Sequence, residues 1–196
     1  MAKSKKRESD SLRRRRPSRE PLPRILVVCE GEVTEKEYLS YLRQAERIPV
    51  ELRIVAGGTP KTLIEKAVQL RHDGHFDQVW CVFDIDEHPK IADAKQQARD
   101  NGIDLIVSNP CFDLWILLHY QELRRHTHRH KVQSLCRTHI DGYGKSPPCE
   151  ELLKLYPQAE KRATALEKWH ATRGTEGHNP STNAHWLVAK IRSYRP

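Results

Sequence analysis

Apolar residues are concentrated in a few short runs that polar segments separate. Residues 25–29 and 79–83 are continuous apolar runs, of which the first is rich in β-branched side chains, and residues 103–107 predict another strand. Such runs are typical of strands that are buried on both faces of a sheet. Residues 50–55 alternate apolar and charged side chains, which predicts a fourth, half-exposed strand.

The segments between these runs carry apolar residues at helical spacing. They predict helices over residues 35–47, from residue 60 onward, over 90–101 and over 112–120. Thr34 to Glu37 has the spacing of a capping box, and Thr59 followed by Pro60 is typical of a helix start. Gly102 is expected to end the third helix. Strands that alternate with helices predict an α/β fold with a parallel sheet and right-handed crossovers.

The pattern changes after residue 120. A stretch rich in histidine and arginine covers residues 124–139, and a glycine-containing loop covers 141–145. Further helices are predicted over residues 150–156, 158–172 and 184–191. We therefore divide the chain into an arm (1–23), an α/β core (24–122) and a mostly helical C-terminal extension (123–196).

The basic character of the chain lies in the arm. The 196 residues have a formal net charge of +8, but the first 24 residues hold ten Lys/Arg and three Asp/Glu, which leaves +1 for the rest. The arm contains four consecutive arginines and little apolar material, so we predict that it is disordered and contacts nucleic acid phosphates. A solubility tail, or a tail that docks on an acidic partner, is the alternative interpretation.

Several classes of protein are not expected from this composition. No apolar run approaches the ~20 residues that a membrane-spanning helix needs, and no apolar segment follows the basic N-terminus as in a secretory signal. The five cysteines are too scattered for a disulfide framework. We therefore expect a cytoplasmic protein with reduced thiols and no membrane contact.

Acidic residues follow two of the predicted buried strands. Glu30 comes directly after the first strand, and Asp84 and Asp86 come after the third. Residues two apart in an extended segment point to the same side, and the carboxyl ends of parallel strands meet at one edge of the sheet. Three carboxylates there predict a site for Mg²⁺ or Mn²⁺. The simpler alternative is that these acids cap loops and carry surface charge.

These residues resemble the TOPRIM domain of topoisomerases, primases and several defence nucleases. The resemblance rests on Cys29-Glu30-Gly31 after the first strand and Asp84-Ile85-Asp86 after the third. It implies a TOPRIM/Rossmann-like sheet, with a glutamate that closes the first strand and an Asp-x-Asp pair that closes a later one.

A closer resemblance is to the RloB family, from about Arg24 to Ile191. It rests on an ordered set of four segments: residues 29–35 (CEGEVTE), 83–86 (FDID), 108–115 (SNPCFDLW) and 179–183 (NPSTN). Asp113 stands where we expect glutamate in most relatives. The resemblance implies a component of an antiphage defence system that is encoded beside restriction–modification genes and an AAA/ABC-type ATPase. Related effectors are nucleases that act in abortive infection.

The implied chemistry is metal-dependent cleavage of phosphodiester bonds in RNA, such as tRNA, or in DNA. Asp84 and Asp86 would bind the metal, and Glu30 would share in metal binding or act as general acid/base. Asp113 joins them as a catalytic candidate. Because no serine, cysteine or tyrosine is placed as a nucleophile, we expect attack by metal-activated water. The alternative is a non-catalytic adaptor that binds nucleic acid or the ATPase, and homo-oligomers are compatible with both.

Substrate-binding candidates lie outside the acidic cluster. Asn109 follows the fourth strand, where it either contacts phosphate or caps the next helix with Pro110 at the first helical position. Asn183 is a candidate for substrate binding only because of the family resemblance. The remaining substrate-binding candidates are three residues that supply positive charge: Lys145, Arg124 and Arg125.

Two further segments resemble binding motifs without matching their spacing. The segment that contains His126, His128, His130, Cys136 and His139 lacks a standard zinc spacing, and its interleaved arginines repel a cation, so we favour a basic surface over a zinc site. The segment 57–61 (GGTPK) lacks the spacing of a P-loop, so any ATPase activity is expected in another protein.

The arm gives a first prediction. Deleting residues 1–23 should leave folding intact and reduce the steepness with which nucleic acid affinity falls as salt rises, because fewer counterions are released. Fluorescence anisotropy across a salt series measures that slope. An unchanged slope would refute the role of the arm.

Overall fold

The computed structural model describes residues 21–85, 91–144 and 146–195, within which the chain forms five strands and seven helices. The arm residues 1–20, Asp86 and Lys145 lie outside the described residues. The strands are β1 (Arg24–Cys29), β2 (Glu51–Ala56), β3 (Gln78–Asp84), β4 (Asp104–Asn109) and β5 (Ser181–Thr182). The helices are α1 (Thr34–Ala45), α2 (Pro60–Gly74), α3 (Ile91–Asp100), α4 (Asp113–Leu118), α5 (Arg129–His139), α6 (Cys149–Ala171) and α7 (Ala184–Arg192).

The strands form one sheet in the order β2-β1-β3-β4-β5. The first four are parallel, which confirms the predicted α/β fold with a parallel sheet and flanking helices. The antiparallel edge strand β5 was not predicted, since it is two residues long and pairs Thr182 with Ser108 and Ser181 with Asn109. The backbone continues to pair beyond β1, because the Glu30 N–H donates to the Val82 carbonyl at 2.9 Å.

Two apolar clusters cover the two faces of the sheet. One cluster packs α2 and α3 against side chains such as Leu26, Cys81 and Phe83. The other, larger cluster lies on the opposite face and contains Val27, Val82 and Trp115. Residues of α5, α6 and α7 belong to this second cluster, so the C-terminal region and the α/β core share one interior.

Three local predictions need correction. The segments 150–156 and 158–172 form the single helix α6, which contains Pro157. That proline is exposed, and Leu152, Tyr156 and four further α6 residues form a continuous buried stripe that offsets one missing backbone hydrogen bond. Helix α1 begins at Thr34 with Val33 at the N-cap and no side-chain cap. The predicted capping box is therefore wrong there.

The helix after β4 starts later than Asn109 and Pro110 predicted. It begins at Asp113 with Phe112 at the N-cap, so Asn109 and Pro110 are not its cap and first residue. By contrast, α2 begins at Pro60 with Thr59 at the N-cap, as predicted, and the Thr59 N–H donates to Thr62 Oγ1 at 2.8 Å. Of the described helices, none is long and apolar enough to cross a membrane.

The described residues begin three residues inside the predicted arm, at residue 21. The Pro23 carbonyl accepts a hydrogen bond from the Glu51 N–H at 2.8 Å, and Arg24 forms an ion pair with the Glu51 carboxylate at 2.9 Å. A deletion that tests the arm should therefore end at residue 20, because removal of Pro23 would disturb the edge of the sheet.

His119 is the basis of a stability prediction. It is 1% exposed, and its ring nitrogens lie 2.9 Å from the Trp115 carbonyl and 3.3 Å from the Tyr38 hydroxyl. Burial lowers the pKa of His119 to about 4. The folded state therefore favours the neutral ring, and its contribution to stability is complete above about pH 6.5 and is lost as pH falls toward 4.

We expect wild-type protein to lose about 2 kcal/mol more stability between pH 7 and pH 5 than His119→Gln. Urea unfolding at both pH values measures the difference. His130→Gln is the matched control, because His130 is exposed, and it should retain the wild-type dependence. Equal pH dependence of wild type and His119→Gln would contradict the assignment.

Candidate active site

Glu30 and Asp84 meet at the carboxyl edge of the sheet. Glu30 directly follows β1 and Asp84 ends β3, and these are neighbouring strands. Glu30 Oε2 lies 3.3 Å from the Asp84 backbone nitrogen. The convergence that the sequence predicted for these two residues is therefore present, and it follows from the parallel register of the strands.

Glu35 adds a third carboxylate, which the sequence analysis did not assign to the site. It is 4% exposed at the start of α1. Burial raises the pKa of the Glu35 carboxyl, and the nearby Asp113 and Glu30 contribute to the rise, whereas hydrogen bonds from its own backbone and from Gly31 lower it. A Cβ atom at Gly31 would overlap the Glu35 carboxylate. The glycine thus makes room for the buried acid.

Asp84 is held by two groups that both favour its charged form. The Phe112 N–H donates to Asp84 Oδ1 at 2.9 Å, and an Arg129 guanidinium nitrogen lies 3.8 Å from Asp84 Oδ2. Burial raises the pKa of the Asp84 carboxyl well above its usual range, with further increases from Glu35 and Glu30. Arg129 and the Phe112 N–H act against that rise.

Asp113 is connected to the C-terminal region. Its carboxylate accepts hydrogen bonds from the Tyr143 hydroxyl and, at 3.0 Å, from the Gln133 amide. The Cys136 thiol donates to its backbone carbonyl at 3.5 Å. These contacts join α4, α5 and the loop after α5 at the rim of the cleft, and the predicted catalytic role of Asp113 stays a prediction.

These residues line one cleft of about 420 Å³. It lies where the segments after β1, β2, β3 and β4 come together, and it carries the five carboxylates of Glu30, Glu32, Glu35, Asp84 and Asp113. Arg129 is the one cation that lines it within residues 21–85, 91–144 and 146–195. The cleft is therefore strongly acidic.

The cleft offers oxygen donors of the kind that Mg²⁺ and Mn²⁺ prefer. Of the three expected ligands, Glu30 and Asp84 line the cleft, and Asp86 lies outside the described residues. Within the described part of the chain, no three His, Cys, Asp or Glu residues are arranged to hold an ion. The donor chemistry fits a hard divalent cation, whereas the three-ligand geometry stays a prediction.

The two predicted asparagines lie away from the cleft and are used by the fold. The Asn109 amide donates to the Gly177 carbonyl at 2.9 Å. The Asn183 side chain accepts from the Val107 N–H at 2.7 Å and donates to the Leu105 carbonyl at 2.9 Å, and so it pairs with β4 as a strand would. Their proposed contacts with substrate stay predictions.

The predicted basic residues form part of a second depression. Arg124 and Arg125 line it together with Lys131, and its volume is about 640 Å³. Arg124 also pairs with Glu122 at 3.0 Å. Lys145 lies outside the described residues. Among the described histidines and cysteines no metal cluster forms, and His139 instead stacks on Tyr120.

Glu35 and Arg129 are the functional candidates that sequence reasoning missed. Glu35 stands in the quoted segment 29–35, five residues after Glu30, but the sequence placed it only at the start of the helix after Thr34. Arg129 is separated from Asp84 by 45 positions and stood among other basic residues. Its place in the cleft results from the packing of α5 on α4, which no local pattern specifies.

Fold and cleft define a class of protein: a parallel α/β protein with a carboxylate-lined cleft at the carboxyl edge of its sheet. Residues 25–191 match the family described as RloB-like protein. The match covers most of the chain, so the chain belongs to the RloB-like family, as its motifs indicated. No curated protein shows significant similarity to the chain.

The proximity of Gly31 and Glu35 gives a testable coupling. Gly31→Ala should lower the free energy of unfolding by about 1–3 kcal/mol, because the added methyl group overlaps the buried carboxylate. In a Glu35→Ala background the same substitution should cost much less, since the space is then empty. Urea unfolding of the four variants closes this double-mutant cycle.

Gly144→Ala is the matched control. Gly144 lines the same cleft, but a Cβ atom there would have its nearest neighbour at 3.9 Å. We expect its effect to be the same in both backgrounds. Equal costs of Gly31→Ala with and without Glu35 would contradict the contact.

Proposed function

We propose that this protein is a metal-dependent phosphodiesterase that cleaves RNA or DNA. The observation that supports this function is the convergence of Glu30, Glu35 and Asp84 in one cleft at the carboxyl edge of the sheet. Carboxylates in such a position are costly unless a cation or a proton offsets their charge. A site for divalent cations makes use of this arrangement.

Glu30 and Asp84, together with Asp86, would hold the divalent cation. When bound, the cation would polarise a non-bridging phosphate oxygen and stabilise charge on the attacking and leaving oxygens. The residues of the chain then supply orientation. The Phe112 N–H fixes one oxygen of Asp84, and the Asp84 N–H fixes Glu30.

Water is the nucleophile that this cleft favours. Burial raises the pKa of the Cys111 thiol, and burial with the adjacent Asp113 raises that of the Tyr143 hydroxyl. Both groups also donate hydrogen bonds to Asp113. They are therefore poor nucleophiles.

Arg129 is suited to bind the phosphate beside the scissile bond. It lines the acidic cleft from the first residue of α5, and Arg124, Arg125 and Lys131 lie in the adjoining part of the chain. Guanidinium groups pair with phosphate oxygens in a bidentate geometry. Positive charge along this segment would align the nucleic acid with the carboxylates, with Asn109, Asn183 and Lys145 as further candidate contacts.

Membership of the RloB-like family suggests the biological role in which such a nuclease would act. We propose that the nuclease is the effector of an antiphage defence system and that a partner ATPase controls it. A non-catalytic adaptor is the second candidate, and the contact between Arg129 and Asp84 favours it, because an internal cation already offsets part of the charge.

Removal of single carboxylates tests the nuclease. Asp84→Asn, Glu30→Gln and Glu35→Gln should each lower cleavage of tRNA, total RNA or plasmid DNA by about 100-fold or more, since each removes charge without changing shape. Assays with Mg²⁺, with Mn²⁺ and with EDTA measure the metal requirement. Calorimetric titration with Mn²⁺ should show weaker binding to Asp84→Asn.

Asp93→Asn is the matched control, because Asp93 is an exposed acid on α3 and should retain full activity. Arg129→Gln should weaken nucleic acid binding and reduce the salt slope by about one unit. Full activity of Asp84→Asn would refute the site. Nucleic acid binding without cleavage under every condition, in wild type and variants alike, would favour the adaptor.

A further inference from the structure

A second groove lies beside β4, on the opposite face of the sheet from the acidic cleft. Its volume is about 510 Å³, and α3, β4, α6 and α7 all contribute to it. We call it the β4 groove. Ile103, Leu105 and Val107 form its apolar floor, with Leu166 and Trp186 on the α6–α7 side.

Trp186 is the outstanding surface feature of this groove. It is 48% exposed, and the one other large hydrophobic residue of comparable exposure in the described parts of the chain is Leu22. An exposed indole beside an apolar floor is typical of a surface that another molecule covers. Tryptophan also contributes strongly to protein interfaces when it is buried there.

Three polar groups that line the groove, those of Asn183, Thr182 and His170, are satisfied within the fold. Asn183 uses both ends of its amide on the backbone of β4. The Thr182 hydroxyl lies 2.9 Å from that of Ser108, and His170 contacts Thr175 and the Pro180 carbonyl. These three groups are therefore not available to orient a small ligand. Because Asn183 occupies the edge of β4, an added strand is disfavoured too.

The charges on the rim have opposite signs on opposite sides. Lys95 and Arg99 project from α3, whereas Glu167 and Glu176 belong to α6 and the segment after it. Neither Lys95 nor Glu176 forms an ion pair with any described residue, and the Arg99 guanidinium donates to Gln96. With Asp104 also present, the rim has no excess of positive charge that would attract nucleic acid.

A surface with a basic rim, an apolar floor and an acidic rim is complementary to itself. A two-fold axis along the groove brings the α3 rim of one copy against the α6 rim of the other. Trp186 would then face the basic α3 side of the partner, where an arginine can stack on its ring. We propose that a second copy of this chain docks on the β4 groove to form a symmetric dimer.

This dimer is independent of the proposed nuclease, since it concerns a different surface and can be measured without metal or nucleic acid. Sedimentation velocity over a concentration series of the full chain gives the dimer dissociation constant. Arg99→Glu and Glu176→Arg should each raise it by more than about tenfold, because like charges then face each other across the interface. Trp186→Ala should raise it as well.

The double charge reversal is the decisive test. Arg99→Glu combined with Glu176→Arg in one chain should restore the homodimer, because opposite charges face each other again. A mixture of the two single variants should form a heterodimer for the same reason. Lys161→Glu is the matched control, since Lys161 is exposed on α6 and does not line the groove. It should leave the dissociation constant unchanged.

A wild-type chain that stays monomeric over the whole series overturns the proposal. A dimer that neither charge reversal weakens also overturns it, because the interface then lies elsewhere. Loss of the dimer in both single variants without recovery in the swapped chain or in the mixture refutes the two-fold arrangement.

Discussion

Buried negative charge is the constraint on which the carboxyl edge of this protein depends. Burial raises the pKa of both the Glu35 and the Asp84 carboxyls, and neighbouring carboxylates add to each rise, Asp113 and Glu30 for Glu35, and Glu35 and Glu30 for Asp84. Repulsion of this kind would open the cleft unless other groups opposed it. The opposing groups are few and specific. Gly31 admits the Glu35 carboxylate, the Phe112 N–H holds Asp84, and Arg129 supplies the compensating charge.

This constraint explains why the C-terminal region cannot be separated from the sheet. Helix α5 brings Arg129 to Asp84, and it also brings Gln133 and Cys136 to Asp113. Tyr143, in the loop after α5, donates to the same carboxylate. The elements after residue 123 therefore complete the acidic cleft and the larger of the two apolar clusters. A change in how α5 packs on α4 would alter the charge balance of the site directly.

The alternation of side chains along β3 separates two surfaces. Asp84 lines the acidic cleft, and the next residue, Ile85, lines the β4 groove, because successive residues of a strand point to opposite faces. The proposed catalytic site and the proposed dimer contact thus lie one residue apart along the chain and on opposite sides of the sheet. A substituted residue on one surface therefore makes no direct contact with the other surface.

The local pattern of apolar and polar residues determined the four parallel strands, most of the helices and the meeting of Glu30 with Asp84. Burial and strand periodicity can be read from the order of neighbouring residues. The local pattern could not determine the partners of those acids. Glu35 reads from the sequence as one of several acids in the first turn of a helix, and only the packing of α1 on the sheet buries it beside Gly31. Arg129 and Tyr143 reach the site through contacts between elements distant in sequence, and such contacts arise only when the interior is assembled. Likewise, β5 is too short for its own periodic signal and exists because Asn183 and Thr182 complete the edge of β4.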